Sequence, residues 1–295
     1  MAEAHSQNPL SHVVDHYTLE VPGLGHEIDL PWGISRFMVM EVIAALLVAA
    51  IVIPLARHVA RNRVTRGYFM NIFEAIVLFI RDGIARPAID GGDHGGHDDH
   101  GHADEHGEGH GHGAGHGHGH GRASDAFLPF LWTMFFFILF CNLLGMVPGG
   151  ASATGNLNVT AALALLTLGA VITAGVRALG PVGFWIGLVP TMDVPALLKP
   201  PLWGLMFVIE VAGLLIKHVV LAVRLFANML AGHIVLAVIL GFIAQAVGIF
   251  TFLVTPASIA GDVALSLLEL FVAFLQAYIF TFLSALFIGM AAHPH

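Results

Sequence analysis

Leu221-Ala222-Val223-Arg224-Leu225-Phe226-Ala227-Asn228-Met229-Leu230-Ala231-Gly232-His233 places an arginine in the middle of a long apolar run. At membrane depth an arginine costs roughly 2.5–3.5 kcal/mol on insertion scales, and such residues are rare and functional. Its guanidinium stays charged at every physiological pH, so it is a fixed positive charge in a low-dielectric slab. A fixed charge there must face another charge or water. Weaker polar residues in such runs have a simpler explanation. His218 and Gln245 read as hydrogen-bonded packing residues, and Lys199 and Lys217 as side chains able to snorkel toward an interface.

The run is not isolated. The chain has 295 residues, of which 57 % are hydrophobic and 11 % charged, with a mean hydropathy of +0.81. Several apolar stretches are long enough to cross a ~30 Å hydrocarbon core. The fold class is therefore all-α, a polytopic membrane protein. The formal net charge of −8 is concentrated: Asp93, Asp98, Asp99, Asp104, Glu105 and Glu108 lie in a stretch without Lys or Arg, and nothing suggests nucleic-acid binding. A single cysteine, Cys141, excludes an internal disulfide framework. Residues 1–33 lack the basic stretch and short apolar core of a secretory signal and read as an external segment retained in the protein.

The first span covers about 34–55 and is followed by Arg57, Arg61, Arg63 and Arg66. By the positive-inside rule this puts the N-terminus outside and residue 56 onward in the cytoplasm. Residues 68–85 are apolar but interrupted by Asn71, Glu74, Arg81 and Asp82, the pattern of an interfacial helix rather than a span. Residues 91–121 are Gly, His and Asp/Glu, a composition that cannot bury a core, and are expected to form a disordered cytoplasmic loop. Its His110, His112, His116, His118 and His120 are chemically able to bind zinc, nickel or copper. The favoured reading is a solvated linker that meets metals incidentally. The second and third spans cover about 127–146 and 159–178, joined by an outer turn at 149–157, and residues 181–200 form a Pro- and Gly-rich inner loop. Two very long apolar stretches complete the chain, about 202–252 and 258–290, with Thr255-Pro256 as the break. Each exceeds the ~20 residues of an upright crossing, so they tilt steeply, bend or lie partly along the membrane. The count is about five membrane-embedded helices plus one interfacial amphipathic helix. Four regions follow: 1–33 external, 34–90 first span and interfacial helix, 91–121 loop, and 122–295 membrane-embedded.

Polar residues fall in register on the last two helices. Glu210, Lys217 and Arg224 are seven apart, about two turns, and share one stripe. Asn228 follows Arg224 by one turn, whereas His233 points about half a revolution away. Asp262, Glu269 and Gln276 repeat the seven-residue spacing, with Ser266 one turn after Asp262. Glu210 and Glu269 either neutralise a basic group or, protonated in a desolvated site, carry protons.

The Arg224 string, with Leu268-Glu269 and Leu275-Gln276-Ala277-Tyr278, resembles subunit a of F-type ATP synthases, the static half of a proton-driven rotary motor. The resemblance runs from about Ser35 to the C-terminus, is specific around Arg224, and over the first third rests mainly on hydropathy. It implies that Arg224 is the stator charge facing the carboxylates of a rotating c-ring and blocking direct proton leakage between two half-channels. Asn228 and Gln276 match polar positions beside it, Glu210 an acidic position of the cytoplasmic half-channel, and Asn142 and Thr154 polar positions of the outer one. Many bacterial members carry a carboxylate where His233 stands and a histidine where Glu269 stands. Here the pair is exchanged, which points to the alphaproteobacterial and mitochondrial branch. Gly145 stands where some members have an acid, which puts the lining of the entry path in question.

The expected function is proton translocation in the plasma membrane of a bacterium, with protons passing His233 and Glu269, riding the rotor and leaving beside Glu210. The resemblance implies the c-ring, peripheral-stalk b subunits and membrane lipid as partners. No cofactor is expected, and the chain would not bind ATP itself. The rival is a zinc transporter with a His-rich cytoplasmic loop, which needs His/Asp ligands within the spans; Arg224 would repel the cation. A third reading, a scaffold subunit of a respiratory complex, predicts no unpaired charge at membrane depth.

Overall fold

A computed structural model of the protein describes residues 18–20, 27–29, 35–61, 68–90, 123–147, 152–190, 195, 198–245 and 251–292. The histidine-rich loop, with its five candidate ligands, lies outside the described residues. The fold is helical, as the composition requires, with one small exception in the N-terminal segment. There β1 (Thr18–Glu20) pairs antiparallel with β2 (Glu27–Asp29), Thr18 opposite Asp29 and Glu20 opposite Glu27.

Helix α1 (Arg36–Arg61) is followed by α2 (Tyr68–Phe79), which continues into a wider-wound π-helical segment (Ile80–Asp90). Then come α3 (Ala123–Gly145), a 3₁₀ turn (Ala153–Gly155) and α4 (Leu157–Leu179). The short α5 (Pro181–Gly187) leads to α6 (Lys199–Gln245) and α7 (Thr251–Ala292). Five helices, α1, α3, α4, α6 and α7, contain segments long and apolar enough to cross a membrane. The α2 segment is not among them. It buries one side, Ile80, Ile84, Ala85 and Ile89, and keeps Arg81 and Asp82 outward, as an interfacial helix must. Arg81 donates to Asp82 at 3.0 Å, which holds that carboxyl below the ordinary range and raises the guanidinium, and Arg86 bonds the same carboxylate.

The 47 residues of α6 and 42 of α7 give lengths of about 70 and 63 Å at ~1.5 Å per residue. Both run as continuous helices, each far longer than an upright crossing of a ~30 Å core needs. Two boundaries differ from the sequence reading. Thr255-Pro256 does not break the chain: Pro256 sits in the second turn of α7, where its missing N–H costs only one bond, to the carbonyl of Phe252. The inner loop over 181–200 contains a helix, because Pro181 takes the first helical position, where its fixed φ favours a helix and its lack of N–H is harmless.

The core is centred on α3 and α7. Leu131, Phe136 and Ile138 of α3 pack with Phe280, Ala285 and Ile288 of α7, Ile80 and Ile84 of the π segment, Val171 of α4, and Leu221 and Leu225 of α6. Trp132 Nε1 donates to the carbonyl of Val77 at 3.1 Å, tying α2 to α3. Ser124 donates to Asp90 from its backbone N–H (3.1 Å) and its hydroxyl (2.6 Å), so the two ends flanking the histidine-rich stretch are fastened together. Helix α1 joins at the edge, through Ala44 against Cys141 and Ala153. The spans of α1 and α6 are the least covered and that of α3 the most.

Candidate functional site

Polar residues that a helix end would normally leave to water are buried where α3 meets the 3₁₀ turn. Thr154 donates to Asn142 Oδ1 at 2.7 Å, and its oxygen lies 2.8 Å from Ser152 Oγ. With the threonine proton committed to Asn142, the serine must be the donor. Asn142 Nδ2 points on to the carbonyl of Ala273 in α7, a long 3.5 Å. Ser152, Thr154 and Asn142 thus form one line from the turn to α7, reaching it one helical turn after Glu269. Gly145 fits this arrangement. A Cβ there would lie 2.3 Å from Ser152 Cβ and 2.8 Å from its Cα, so no side chain can stand at this position while the turn is seated.

The second cluster lies between α6 and α7. Asn228, Ala231 and Gly232 of α6 and Glu269 and Val272 of α7 line a cavity of about 190 Å³. Gly232 lets the helices close up: a Cβ would stand 2.7 Å from Glu269 Oε1. Glu269 Oε1, His233 Nε2 and Gln276 Nε2 are buried without a hydrogen-bond partner among the described residues. Buried polar atoms are satisfied in the great majority of cases, and two more on this pair of helices, His218 Nε2 and Thr255 Oγ1, share the condition. His233 does not line this cavity, and no hydrogen bond or ion pair joins it to Glu269.

The third cluster occupies the opposite part of α6. Glu210, Leu214 and Lys217 line a cavity of about 250 Å³ with Val171, Phe184, Phe287 and Met290. Lys217 Nζ stands 5.9 Å from the centre of the Phe287 ring. Lys217 and Asn228, on the two cavities, are eleven positions apart, about 16 Å along the axis. Arg224 lies between them and lines neither. It is exposed, and among the described residues it has no ion-pair partner. Glu210 and Lys217 thus share a cavity, and Arg224, a further two turns or about 10 Å along the axis, lies beyond it.

The structure thus brings Asn142 to Thr154, Asn228 to Glu269, and Glu210 to Lys217. It keeps Arg224 apart and buries Gln276. Sequence reasoning missed Ser152, whose position two residues before Thr154 was the available signal, and Gly232, which carries no local signal.

The family described as ATP synthase A chain matches residues 116–289. Three similar proteins are named ATP synthase subunit a or subunit a 2. That of Myxococcus xanthus is 41 % identical over 284 residues, 94 % of this chain and 79 % of its own length. That of Chloroherpeton thalassium is 38 % identical over 302 residues, with 96 % and 75 % covered. That of Chlorobaculum tepidum is 36 % identical over 296 residues, with 96 % and 72 % covered. The chain belongs to the ATP synthase A chain family. Family membership removes the zinc-transporter reading, and among the described residues no group of three or more His, Cys, Asp and Glu could hold a metal ion. The organisms of these relatives do not carry the alphaproteobacterial and mitochondrial placement drawn from the exchanged pair. The two clusters on α6 and α7 sit within helices long and apolar enough to cross a membrane.

Proposed function

We propose that the chain is the proton-translocating subunit a of an F-type ATP synthase in a bacterial inner membrane. The observation that carries the reading is the pair of cavities on α6, separated along the helix with Arg224 between them. One cavity has the Asn228–Glu269 wall and takes the Ser152–Thr154–Asn142 line as its outer approach. The other has Glu210 and Lys217 and opens on the cytoplasmic side if the N-terminus is outside. A proton entering past His233 and Glu269 neutralises a rotor carboxylate, which then crosses the apolar surface. On returning to Arg224, the carboxylate is drawn into its ionised form and releases the proton toward Glu210. The driving free energy is about 2.3 kcal/mol per charge per 100 mV.

The unpaired Arg224 supports a c-ring partner. It is flanked by exposed Val220 and Val223 on α6, and Phe271, Phe274 and Leu275 are exposed on α7. An unpaired cation on an apolar face is stable only opposite a counter-charge or water, and a passing carboxylate supplies the first. Asn228 and Gln276 keep the neighbourhood polar without competing for protons. Peripheral-stalk b subunits are the further expected partners. The finer branch placement rests on the exchange of His233 and Glu269 alone.

The test is Arg224→Ala in membranes with the complex assembled to the wild-type level. Coupled ATP synthesis should stop while passive proton conductance persists or rises, because the electrostatic barrier between the two cavities is gone. Retained coupled synthesis would sink the assignment. Arg224→Lys should be nearly as damaging, because a strongly hydrated ammonium lacks the planar, weakly hydrated fork.

A further inference from the structure

The proposed mechanism leaves the buried imidazole of His218 unused. His218 is 3 % exposed and lies on α6 between Glu210 and Arg224, about 12 Å from the first and about 9 Å from the second along the axis. Its Nδ1 is 2.8 Å from the carbonyl oxygen of Leu214. A carbonyl can only accept, so the neutral ring carries its hydrogen on Nδ1 and presents a lone pair at Nε2. That Nε2 is buried and has no hydrogen-bond partner among the described residues. The ring is also fixed in place, 5.4 Å from the ring of Phe287.

Leu214 and Phe287, which hold the imidazole, are both walls of the Glu210–Lys217 cavity, so His218 stands one side chain behind its lining rather than in it. A residue kept only for packing has no need of a second nitrogen, aimed as an acceptor and left without a donor. Of the titratable groups around the cavity, α6 supplies Glu210 and Lys217. The facing walls contribute Phe287, Met290 and Ala291 from α7, Val171 from α4 and Phe184 from α5, none of which titrates. Among the described residues no carboxylate forms an ion pair with His218 that would hold a proton on it.

We propose that His218 is a proton relay of the inner half-channel, standing between the rotor contact and Glu210. The inference rests on the subunit a reading. A proton released near Arg224 bonds to the Nε2 lone pair and makes an imidazolium. The same proton then leaves Nε2 through the cavity toward Glu210, and the original tautomer is restored. The Nδ1–H bond to Leu214 is kept throughout, so the ring need not flip.

The experiment is proton-driven ATP synthesis in membrane vesicles containing the whole complex, per assembled complex, with the inner pH varied across the range in which histidine titrates, about pH 5 to 8. His218→Asn keeps an N–H able to reach the Leu214 carbonyl but cannot carry a proton, and His218→Gln is the second variant. Either should lower the rate on the order of tenfold, less than the 10²–10⁴ typical of positioned acid–base groups because water in the cavity bypasses it. Either should also abolish the inner-pH dependence while the outer-pH dependence stays. Unchanged rates and pH profiles in an assembled variant would make His218 a packing residue. A wild-type enzyme insensitive to inner pH over this range would overturn the proposal even if neither variant assembled. Arg224→Ala, measured in the same vesicles, separates the two levels. If it uncouples while His218→Asn is normal, only the relay fails; if it stays coupled, the subunit a mechanism fails first.

Discussion

At the scale of single residues, the same change at two glycines should have opposite outcomes. In Gly145→Ala the added methyl meets the Cα and Cβ of Ser152 at 2.8 and 2.3 Å, and neither backbone can yield without unseating the turn. Overpacking of this kind costs about 1–3 kcal/mol, so the variant should lower the thermal-inactivation midpoint of the complex and break the Ser152–Thr154–Asn142 line. In Gly232→Ala the methyl meets the far end of the flexible Glu269 side chain, at 2.7 Å from Oε1. The carboxyl can swing away, so assembly and midpoint should stay near wild type while proton-driven synthesis falls. A midpoint that drops equally in both variants would show that Glu269 is locked in place. Arg224 was legible from the sequence because its cost depends only on its own charge and the apolarity around it. Gly145 and Gly232 were not, since their roles depend on residues seven and thirty-seven positions away in the chain.

At the scale of elements, hydropathy placed the second and third spans to within a few residues, because burial in lipid is a property summed over a whole helix, but it missed the junction of the last two by seven, α6 ending at Gln245 and α7 starting at Thr251. It failed where one residue decides. Pro256 reads as a breaker but lies near enough to the start of α7 to be absorbed, and Pro181 reads as loop but opens a helix. The histidine-rich stretch is a case in which two described neighbours inform on a region that composition alone had characterised. Asp90 already accepts from the backbone N–H of Ser124, the contact an N-cap residue makes with the first turn of a helix. Deleting residues 91–121 would leave Asp90-Arg122-Ala123-Ser124, which places Ser124 three residues after Asp90, the N-cap spacing. The long-range bond becomes a local one. The deletion should therefore leave ATP synthesis nearly unchanged. The checking measurement is synthesis with and without added zinc in both forms; a zinc response present only in the intact chain would replace the linker reading with a metal-sensing one.

At the scale of the whole molecule, the direction of proton flow depends on which end of the bundle faces the cytoplasm. The arginines after the first span give one answer, and alternation of five crossings extends it to every connection. On that proposed orientation the turn before α4 is external, whereas α5 and the Glu210–Lys217 cavity are cytoplasmic. The lone Cys141 is buried in the core, so it is unreactive toward a bulky, membrane-impermeant maleimide and can be removed as Cys141→Ser for a clean background. Leu157 at the start of α4 is 48 % exposed and Val182 in α5 is 68 % exposed, and neither lines either of the two cavities on α6. In that background Leu157→Cys should be labelled in right-side-out vesicles and protected in inverted ones, and Val182→Cys should show the reverse. The reverse pattern at both positions would put the Glu210–Lys217 cavity on the outside. Glu210 and His218 would then lie on the entry path and Glu269 on the exit path, while Arg224 kept its task between them. Labelling of both from one side would contradict the crossing of α4 itself.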